Sequence, residues 1–293
     1  MMKITIDDFR VIEGKSVNLK NYTTQSPENF KKNKKEIKKI IKNIDYYQNI
    51  LNAENKQSLL IILQGIDAAG KDSSIRAIMT GVNPQGVNVS SFKTPSSLEY
   101  EHDYLWRHII KMPERGKIEI FNRSHYENVL VCKVHPEFIL NEKIPTINSV
   151  KDINDEFFEK RYEEIKNFEN RMFNNGTRII KFFLNISKDE QKKRFIKRIN
   201  EKEKNWKFSA SDLKERKFWN EYQKAFAMAF EKTSTENCPW FIVPFDNKSY
   251  GQLVMAYIIN ETLKSMNPKY PEVNKQEKEA LKIAYQDLLN EKD

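Results

Sequence analysis

The sequence predicts an α/β fold in which a parallel sheet is sandwiched between two helical layers. Three observations predict it. Short strand-like runs recur at 59–63, 87–92, 118–121, 179–186 and 241–243. Longer segments with apolar residues at helical spacing lie between and after them, at 72–80, 99–111, 155–173, 188–198, 218–233 and 252–263. Neither an internal repeat nor a low-complexity linker breaks the alternation. Strands buried on both faces and joined through helices are what a doubly covered parallel sheet requires.

The elements follow in chain order. The Lys-rich stretch 31–39 continues through Ile37, Ile40, Ile41 and Ile44, whose spacing makes an amphipathic helix with a solvated basic face rather than a nucleic-acid patch. It belongs to a helical N-terminal extension over 1–55. The strands and helices of the body come next, and from Met266 the chain is a mostly polar tail, 266–293, with a helix expected at 275–289. The whole of 1–293 is expected to form one domain. With 39% apolar and 31% charged residues, and 18 Phe, 12 Tyr and 4 Trp, the chain is globular and able to bury a core.

Met1-Met2-Lys3-Ile4-Thr5-Ile6-Asp7-Asp8 carries no signal-peptide pattern, and no run approaches the roughly 20 apolar residues of a membrane span. Cys132 and Cys238 lie far apart and form no metal-ligand cluster, which suits a reducing compartment. A cytoplasmic protein is expected. Lys plus Arg (50) exceed Asp plus Glu (41), which favours an anionic partner. Nucleic acid, nucleotide, polyphosphate and acidic membrane would each satisfy that charge.

The loop after the first strand narrows the choice. Gly65-Ile66-Asp67-Ala68-Ala69-Gly70-Lys71-Asp72-Ser73 reads G-x-x-x-x-G-K between a strand and a helix, the setting of a P-loop. Glycines let successive N–H groups face phosphate oxygens, and the helix start adds its positive dipole end. Gly65, Ala68, Ala69, Gly70, Lys71, Asp72 and Ser73 are therefore candidate phosphate-binding residues, with Lys71 supplying charge at a transferring phosphoryl group. Asp72 stands where Ser or Thr usually ligates Mg²⁺, and Asp67 adds a second carboxylate. Two carboxylates beside phosphates repel them unless a divalent cation intervenes, so Mg²⁺ is expected to be obligatory, with Mn²⁺ as a substitute. Ser73 offers a hydroxyl one position late.

A second cluster, 118–128, ends the third strand, where parallel sheets present residues to the ligand crevice. Arg123 suits phosphate, and Glu127 suits a metal or a substrate hydroxyl; equally, the two could simply pair at i,i+4. His125 is read as structural, not as a covalent intermediate. A third cluster holds Lys192, Lys193, Arg194, Lys197, Arg198, Lys202, Lys204 and Lys207. Arg194 and Arg198 share a helical face. Alone, the cluster reads as a solvated helix; beside a P-loop, it reads as an arm able to close over phosphates and exclude water.

Taken together, 65–72, Phe121-Asn122-Arg123-Ser124-His125-Tyr126-Glu127, and the segment from Trp206-Lys207-Phe208 to Pro239-Trp240 resemble the polyphosphate kinase 2 family over about 30–265. The resemblance implies a thymidylate-kinase-like P-loop fold with a helical lid, here the basic 188–218. It implies Mg²⁺-dependent phosphoryl transfer between inorganic polyphosphate and AMP or ADP. The Asn-Arg-Ser-His-Tyr-Glu form resembles the subgroup that accepts both nucleotides. Carried over by motif, Asp67 and Lys71 contact the reacting phosphates and the metal, and Arg123, Arg194 and Arg198 bind phosphate. Asp103, Arg107, Asn122 and Glu127 lie at the acceptor nucleotide, and Glu127 helps to fix that acceptor or its metal. Asn128 stands where the subgroup has Asp, which removes one possible metal ligand, and Cys238 stands where Ala is common. Dimers or tetramers are implied, with no nucleic-acid or membrane partner.

Two rival readings share the charge pattern. An ATP-dependent nucleoside monophosphate kinase would use the same fold, since function lives in the site; Asp72 and the basic lid argue against it. A non-catalytic polyanion- or nucleic-acid-binding module suits the pI near 9.2 but leaves the acidic P-loop without a reason.

Overall fold

Five parallel strands, β1 (Ser58–Gln64), β2 (Val87–Ser91), β3 (Ile118–Asn122), β4 (Thr177–Asn185) and β5 (Trp240–Pro244), form one sheet in the order β2-β3-β1-β4-β5. They belong to a computed structural model that describes residues 4–207 and 209–291. Phe208 of the Trp206-Lys207-Phe208 motif lies outside the described residues, as do Met1, Met2 and Lys3. From β1 the chain crosses to the β2 edge, returns as β3 beside β1, then crosses to β4 and β5 on the other side. That reversal beside β1 makes the carboxyl end of β1 the crevice where α/β sheets bind ligands.

Alternation along β1 divides the core in two. Leu59, Ile61 and Leu63 join one apolar cluster with Ile44 and Leu51 of α1 (Lys34–Glu54), Ile78 of α2 (Lys71–Met79) and Ile258 and Leu263 of α10. Leu60 and Ile62 join the other, with Val129 of α5, Ile165 of α6 and Phe230 of α9. Here α5 spans Glu127–Val134, α6 Asp155–Asn174, α9 Trp219–Thr233 and α10 Lys248–Met266. Each fully buried side chain of this size contributes about 1.5–3 kcal/mol, so the central strand is anchored from both sides. The remaining helices are α3 (Ser97–Tyr100), α4 (Trp106–Ile109), α7 (Lys188–Asn200), α8 (Ala210–Glu215) and α11 (Lys275–Asn290).

Three expectations are corrected. The stretch 99–111 is not one helix: the Asp103 carboxylate accepts the Leu105 N–H at 2.8 Å, a local turn that breaks the run into α3 and α4. The segment 87–92 is not buried on both faces, because β2 is the sheet edge and Val89 is 48% exposed. The helical extension over 1–55 is helical from Lys34, and α1 packs on α10 within the core layer. Before it, residues 4–33 carry only two single-turn 3₁₀ segments and run as a strap. The strap's Val11 N–H bonds the Trp240 carbonyl (2.9 Å) and the Ile242 N–H bonds the Phe9 carbonyl (2.8 Å), extending β5 antiparallel. No helix among the described residues is long and apolar enough to cross a membrane.

Candidate active site

The loop between β1 and α2 is shaped by close packing and left-handed backbone. A Cβ on Gly65 would meet Ala69 Cβ at 3.0 Å and Leu184 Cβ at 3.3 Å, so the loop's approach to β4 leaves no space for a side chain. Gly70 caps α2 at φ +110°, and Ala68 also takes a positive φ of +63°. Such backbone is costly outside glycine and gathers at functional sites. Lys71, the first residue of α2, is 9% exposed and donates its ammonium to the Gly65 carbonyl at 2.6 Å. Burial pushes its pKa down to about 8, helped by the Arg123 charge and opposed by Asp67, Glu127 and Asp72.

Two cavities open along the carboxyl edge of the sheet. One, of about 760 Å³, is lined by the expected phosphate-binding residues Ala68, Ala69, Gly70, Lys71, Asp72 and Ser73 and faces Arg194, Lys197 and Arg198. Gly65 lies beneath it, in the lining of a small adjoining pocket. The other, of about 920 Å³, is lined by Tyr100, Tyr104, Arg107, Glu127 and Phe138 among others. The two cavities share Phe92, Lys93, Arg123 and Asp212. Arg123 thus stands at the junction of an anion-shaped space and a mixed aromatic one.

Arg123 takes φ +65°, with its N–H on the Leu63 carbonyl (3.1 Å), which turns the side chain out at the end of β3. Both sequence readings of this residue meet here. Its guanidinium bonds Glu127 Oε2 at 3.0 Å, the i,i+4 pair, and also Asp67 Oδ1 at 2.7 Å, inside the phosphate loop. A bidentate-capable cation bridging two half-buried carboxylates is an arrangement that a metal or phosphate can reorganise. All ligating atoms there are hard oxygens, the donor set Mg²⁺ prefers, and Mg²⁺ commonly uses one or two carboxylates and completes its shell with phosphates and water. Among the described residues no cluster of three His, Cys, Asp or Glu able to hold a metal ion is found.

The other expected site residues divide. Asn122 faces the phosphate cavity, where its amide donates to Asp72 Oδ1 at 2.8 Å. Arg107 lines the second cavity, donates to the Lys93 carbonyl (2.9 Å) and pairs with Glu99 at 3.2 Å. Asp103 spends its carboxylate on the turn before α4 and is not part of that lining. Asn128 lines it and donates to the His125 carbonyl at 3.0 Å. Arg198 pairs with Asp212 at 3.4 Å across the phosphate cavity, whereas Arg194, also in that lining, is buried with its guanidinium on the carbonyls of Ala68 and Ala69.

His125 is fully buried, with Nε2 3.3 Å from Glu169. Burial pushes its pKa down, opposed by the Glu169 carboxylate and helped by the Lys181 charge. Lys181, an uncommented residue of a strand-like run, donates to Glu169 (2.5 Å), Tyr126 Oη (3.0 Å) and the Thr233 carbonyl (2.9 Å). All three ammonium protons are used, as a buried charge requires.

Sequence reasoning missed Lys248 and Lys93, which line the phosphate cavity. Lys248 opens α10 just past β5, and burial, with Arg194 adding, pushes its pKa down to about 8. The rule that ligands meet the carboxyl ends of parallel strands, used for β1 and β3, points equally to this position after β5.

Comparison with known proteins agrees with this geometry. The family model for polyphosphate kinase 2 (PPK2) matches residues 28–271. An ADP-polyphosphate phosphotransferase of Rhodopseudomonas palustris is 43% identical over 292 residues, 98% of this chain and 100% of the relative. An AMP/ADP-polyphosphate phosphotransferase of Meiothermus ruber is 41% identical over 229 residues, 78% of this chain and 80% of the relative. The crystal structure of Polyphosphate Kinase 2 from Arthrobacter aurescens TC1 superposes with a TM-score of 0.82 at 34% identity, covering 94% of this chain and 95% of that one. Since the family model spans 28–271 and relatives of 43% and 41% identity are covered over most of their length, the chain belongs to the polyphosphate kinase 2 family.

Proposed function

We infer that this protein transfers the terminal phosphoryl group of inorganic polyphosphate to AMP or ADP, forming ADP or ATP, and runs the reverse reaction when nucleotide is in excess. The observation that carries this is the meeting of two cavities at Arg123, one built for phosphates by the P-loop and one with aromatic walls fit for a nucleotide. A phosphate oxygen of the nucleotide attacks the terminal phosphorus in line. The P–O bond to the rest of the chain breaks, and the shortened polyphosphate keeps the electron pair. The protein supplies position and positive charge rather than a nucleophile.

In this reading Lys71, with the loop amides, holds the donor's terminal phosphates, and Lys248, Lys197 and Arg198 hold the chain behind them. Arg123 lies where charge builds up between donor and acceptor. Arg107 and Glu127 flank the acceptor. Asp67 and Glu127 would hold Mg²⁺, or Mn²⁺ in its place, which screens phosphate charge when bound. Residues 188–218, carrying α7 and α8, act as the lid of a single domain spanning 1–293. The enzyme works in the cytoplasm on polyphosphate and adenine nucleotides, without nucleic acid or membrane, as a homo-oligomer, dimer or tetramer. The exposed apolar side chains Leu281, Tyr285 and Leu288 of α11 supply surface for such an assembly.

Incubation with AMP, Mg²⁺ and polyphosphate, with no ATP, tests the reading. ADP should appear first and ATP after it. Product only when ATP is supplied would make the protein a nucleoside monophosphate kinase, and product from ADP alone would remove AMP from the substrates. Turnover, rather than retention of polyanion, separates either enzyme from a binding module.

A pH dependence follows from Lys71 and Lys248. Their ammonium groups lose protons near pH 8 because burial disfavours charge, and only the charged form attracts phosphate. Polyphosphate affinity should therefore fall as pH rises from 7 to 9, and binding above pH 8 should take up protons. Calorimetry in buffers of different ionisation enthalpy measures that uptake; a proton-neutral, pH-independent binding would remove both lysines from the donor site.

A further inference from the structure

Arg194 sits midway along α7 with only 8% of its side chain exposed. A guanidinium has five N–H donors, and here each has an acceptor. Nε donates to Glu190 Oε1 at 2.8 Å, four residues back on the same helix. Nη1 donates to the carbonyls of Ala68 (3.2 Å) and Ala69 (2.5 Å), both within the P-loop. Nη2 donates to the carbonyls of Phe245 (2.5 Å) and Asp246 (3.2 Å), just beyond β5.

The structure assigns Arg194 a positioning role: its guanidinium holds the 65–71 loop from behind by the loop's own carbonyl groups and does not touch the transferred phosphoryl group. This rests on the phosphotransferase reading above. A trans peptide points its C=O and N–H in opposite directions. Drawing the Ala69 carbonyl back onto Arg194 therefore turns the Gly70 N–H forward, toward the phosphate cavity. The loop needs such a restraint because Ala68 and Gly70 both adopt positive φ, a conformation that surrounding structure must enforce.

The same contacts tie three separate segments to the loop. Asp246, whose carbonyl Arg194 binds, accepts the Ser187 N–H (2.7 Å) at the cap of α7 through Oδ1. Its Oδ2 accepts Thr24 Oγ1 and Gln25 Nε2, each at 2.8 Å, from the N-terminal strap. Lid base, strap and β5 thus converge on one buried guanidinium. Arg198, one turn further along α7, has a different situation: its Nη1 reaches Asp212 across the cavity, at 3.4 Å. Both arginines line the phosphate cavity, but the N–H groups of Arg194 are spent on Glu190 and backbone carbonyls, so the two have separate tasks, Arg194 holding the loop and Arg198 serving the substrate space.

Three readouts on Arg194→Met test this, each against wild type. In the free protein, hydrogen exchange of the peptide covering 65–72 should speed up at least tenfold, since loop restraint is lost before any phosphate binds. Turnover should fall at least tenfold at saturating substrate. The slope of log polyphosphate affinity against log salt should stay as in wild type, because no phosphate contact is removed. Lys71→Ala calibrates that slope: loss of one contact should flatten it by about 0.7, by analogy with single-stranded nucleic acid. Equal flattening in Arg194→Met, or unchanged exchange at 65–72, overturns the assignment and returns Arg194 to the phosphate. If Arg194→Met does not fold, Arg194→Lys decides through exchange: an ammonium satisfies at most three of the five acceptors, so 65–72 should still loosen, and unchanged exchange overturns the proposal. A wild-type protein without polyphosphate turnover would refute the proposed function, while the exchange measurement would still decide what Arg194 does.

Discussion

Lys71→Ala should leave a folded protein whose turnover is lower by a hundredfold or more. The fold is expected to survive because this ammonium is more a burden than a support to the unliganded protein. Burial pushes its pKa down to about 8, so holding the charge there is costly, and its hydrogen bonds are to two loop carbonyls, Gly65 at 2.6 Å and Ile66 at a long 3.5 Å. Removing it leaves the nearer carbonyl short of a partner, about 1 kcal/mol, and relieves the buried charge. Catalysis has no such compensation. Lys71 is the only lysine or arginine of the 65–73 loop, and the neighbouring Arg123 is already shared between Asp67 and Glu127. Losing one preorganised donor to a developing charge costs on the order of 3 kcal/mol, a factor above one hundred. Steady-state rates together with a thermal melt check this. A variant that melts like wild type and turns over near-normally would remove the P-loop from the mechanism.

The sheet was largely legible in the sequence, for a physical reason. A strand such as β1 is buried on both faces, so nearly every residue must be apolar and an uninterrupted run results; in β4 the run Ile179 to Leu184 is broken by Lys181, the buried ammonium paired with Glu169. The edge strand β2 is half exposed and its sequence, Val87 to Ser91, is correspondingly mixed. What misled the reading at 99–111 was a side-chain effect: apolar spacing continued, but Asp103 captured a backbone N–H and ended the helix. Periodicity reports burial, and it says nothing of local competition for hydrogen bonds. The strap at 4–33 was equally hidden, because part of its anchorage is backbone pairing with β5, and its buried Phe9, Val11 and Leu19 are too scattered to show a helix or strand period.

At the site, residues fixed by local motif could be read, and those fixed by long-range folding could not. The loop 65–73 and the turn after β3 carry their geometry in a few consecutive residues. Lys248 reaches the phosphate cavity only because β5 lies next to β4, an adjacency that no local spacing encodes. Arg194 and Arg198 were paired correctly as neighbours on one helix. Spacing could not say that one points at the backbone of the P-loop and the other at Asp212, since that depends on how α7 leaves β4.

Chelation should bring turnover to background, and Mg²⁺ or Mn²⁺ should restore it, an effect larger than that of any single substitution outside the P-loop. Carboxylates crowd the phosphate space and its junction with the second cavity: Asp67 and Glu127, both on Arg123 at 2.7 and 3.0 Å, and Asp72, held by Asn122 at 2.8 Å. Two unit charges 4 Å apart interact by about 4 kcal/mol at an effective dielectric of 20. Polyphosphate brought against these carboxylates would therefore be repelled by several kcal/mol, more than Lys71 alone can offset. Arg123 neutralises part of this charge in the free protein, but a guanidinium held by two carboxylates has few donors left for phosphate. A divalent cation held by Asp67 would draw that carboxylate away and leave the guanidinium of Arg123 free for phosphate. The free protein should accordingly bind Mg²⁺ weakly, and tripolyphosphate should strengthen that binding at least tenfold, measured by calorimetry with no nucleotide present. Asp67→Asn should raise the Mg²⁺ concentration needed for half-maximal rate and weaken this linkage, while the Mg²⁺-free protein keeps its melting temperature or gains from the lost negative charge. Full activity in EDTA, or Mg²⁺ binding indifferent to tripolyphosphate, would show that these carboxylates serve Arg123 alone.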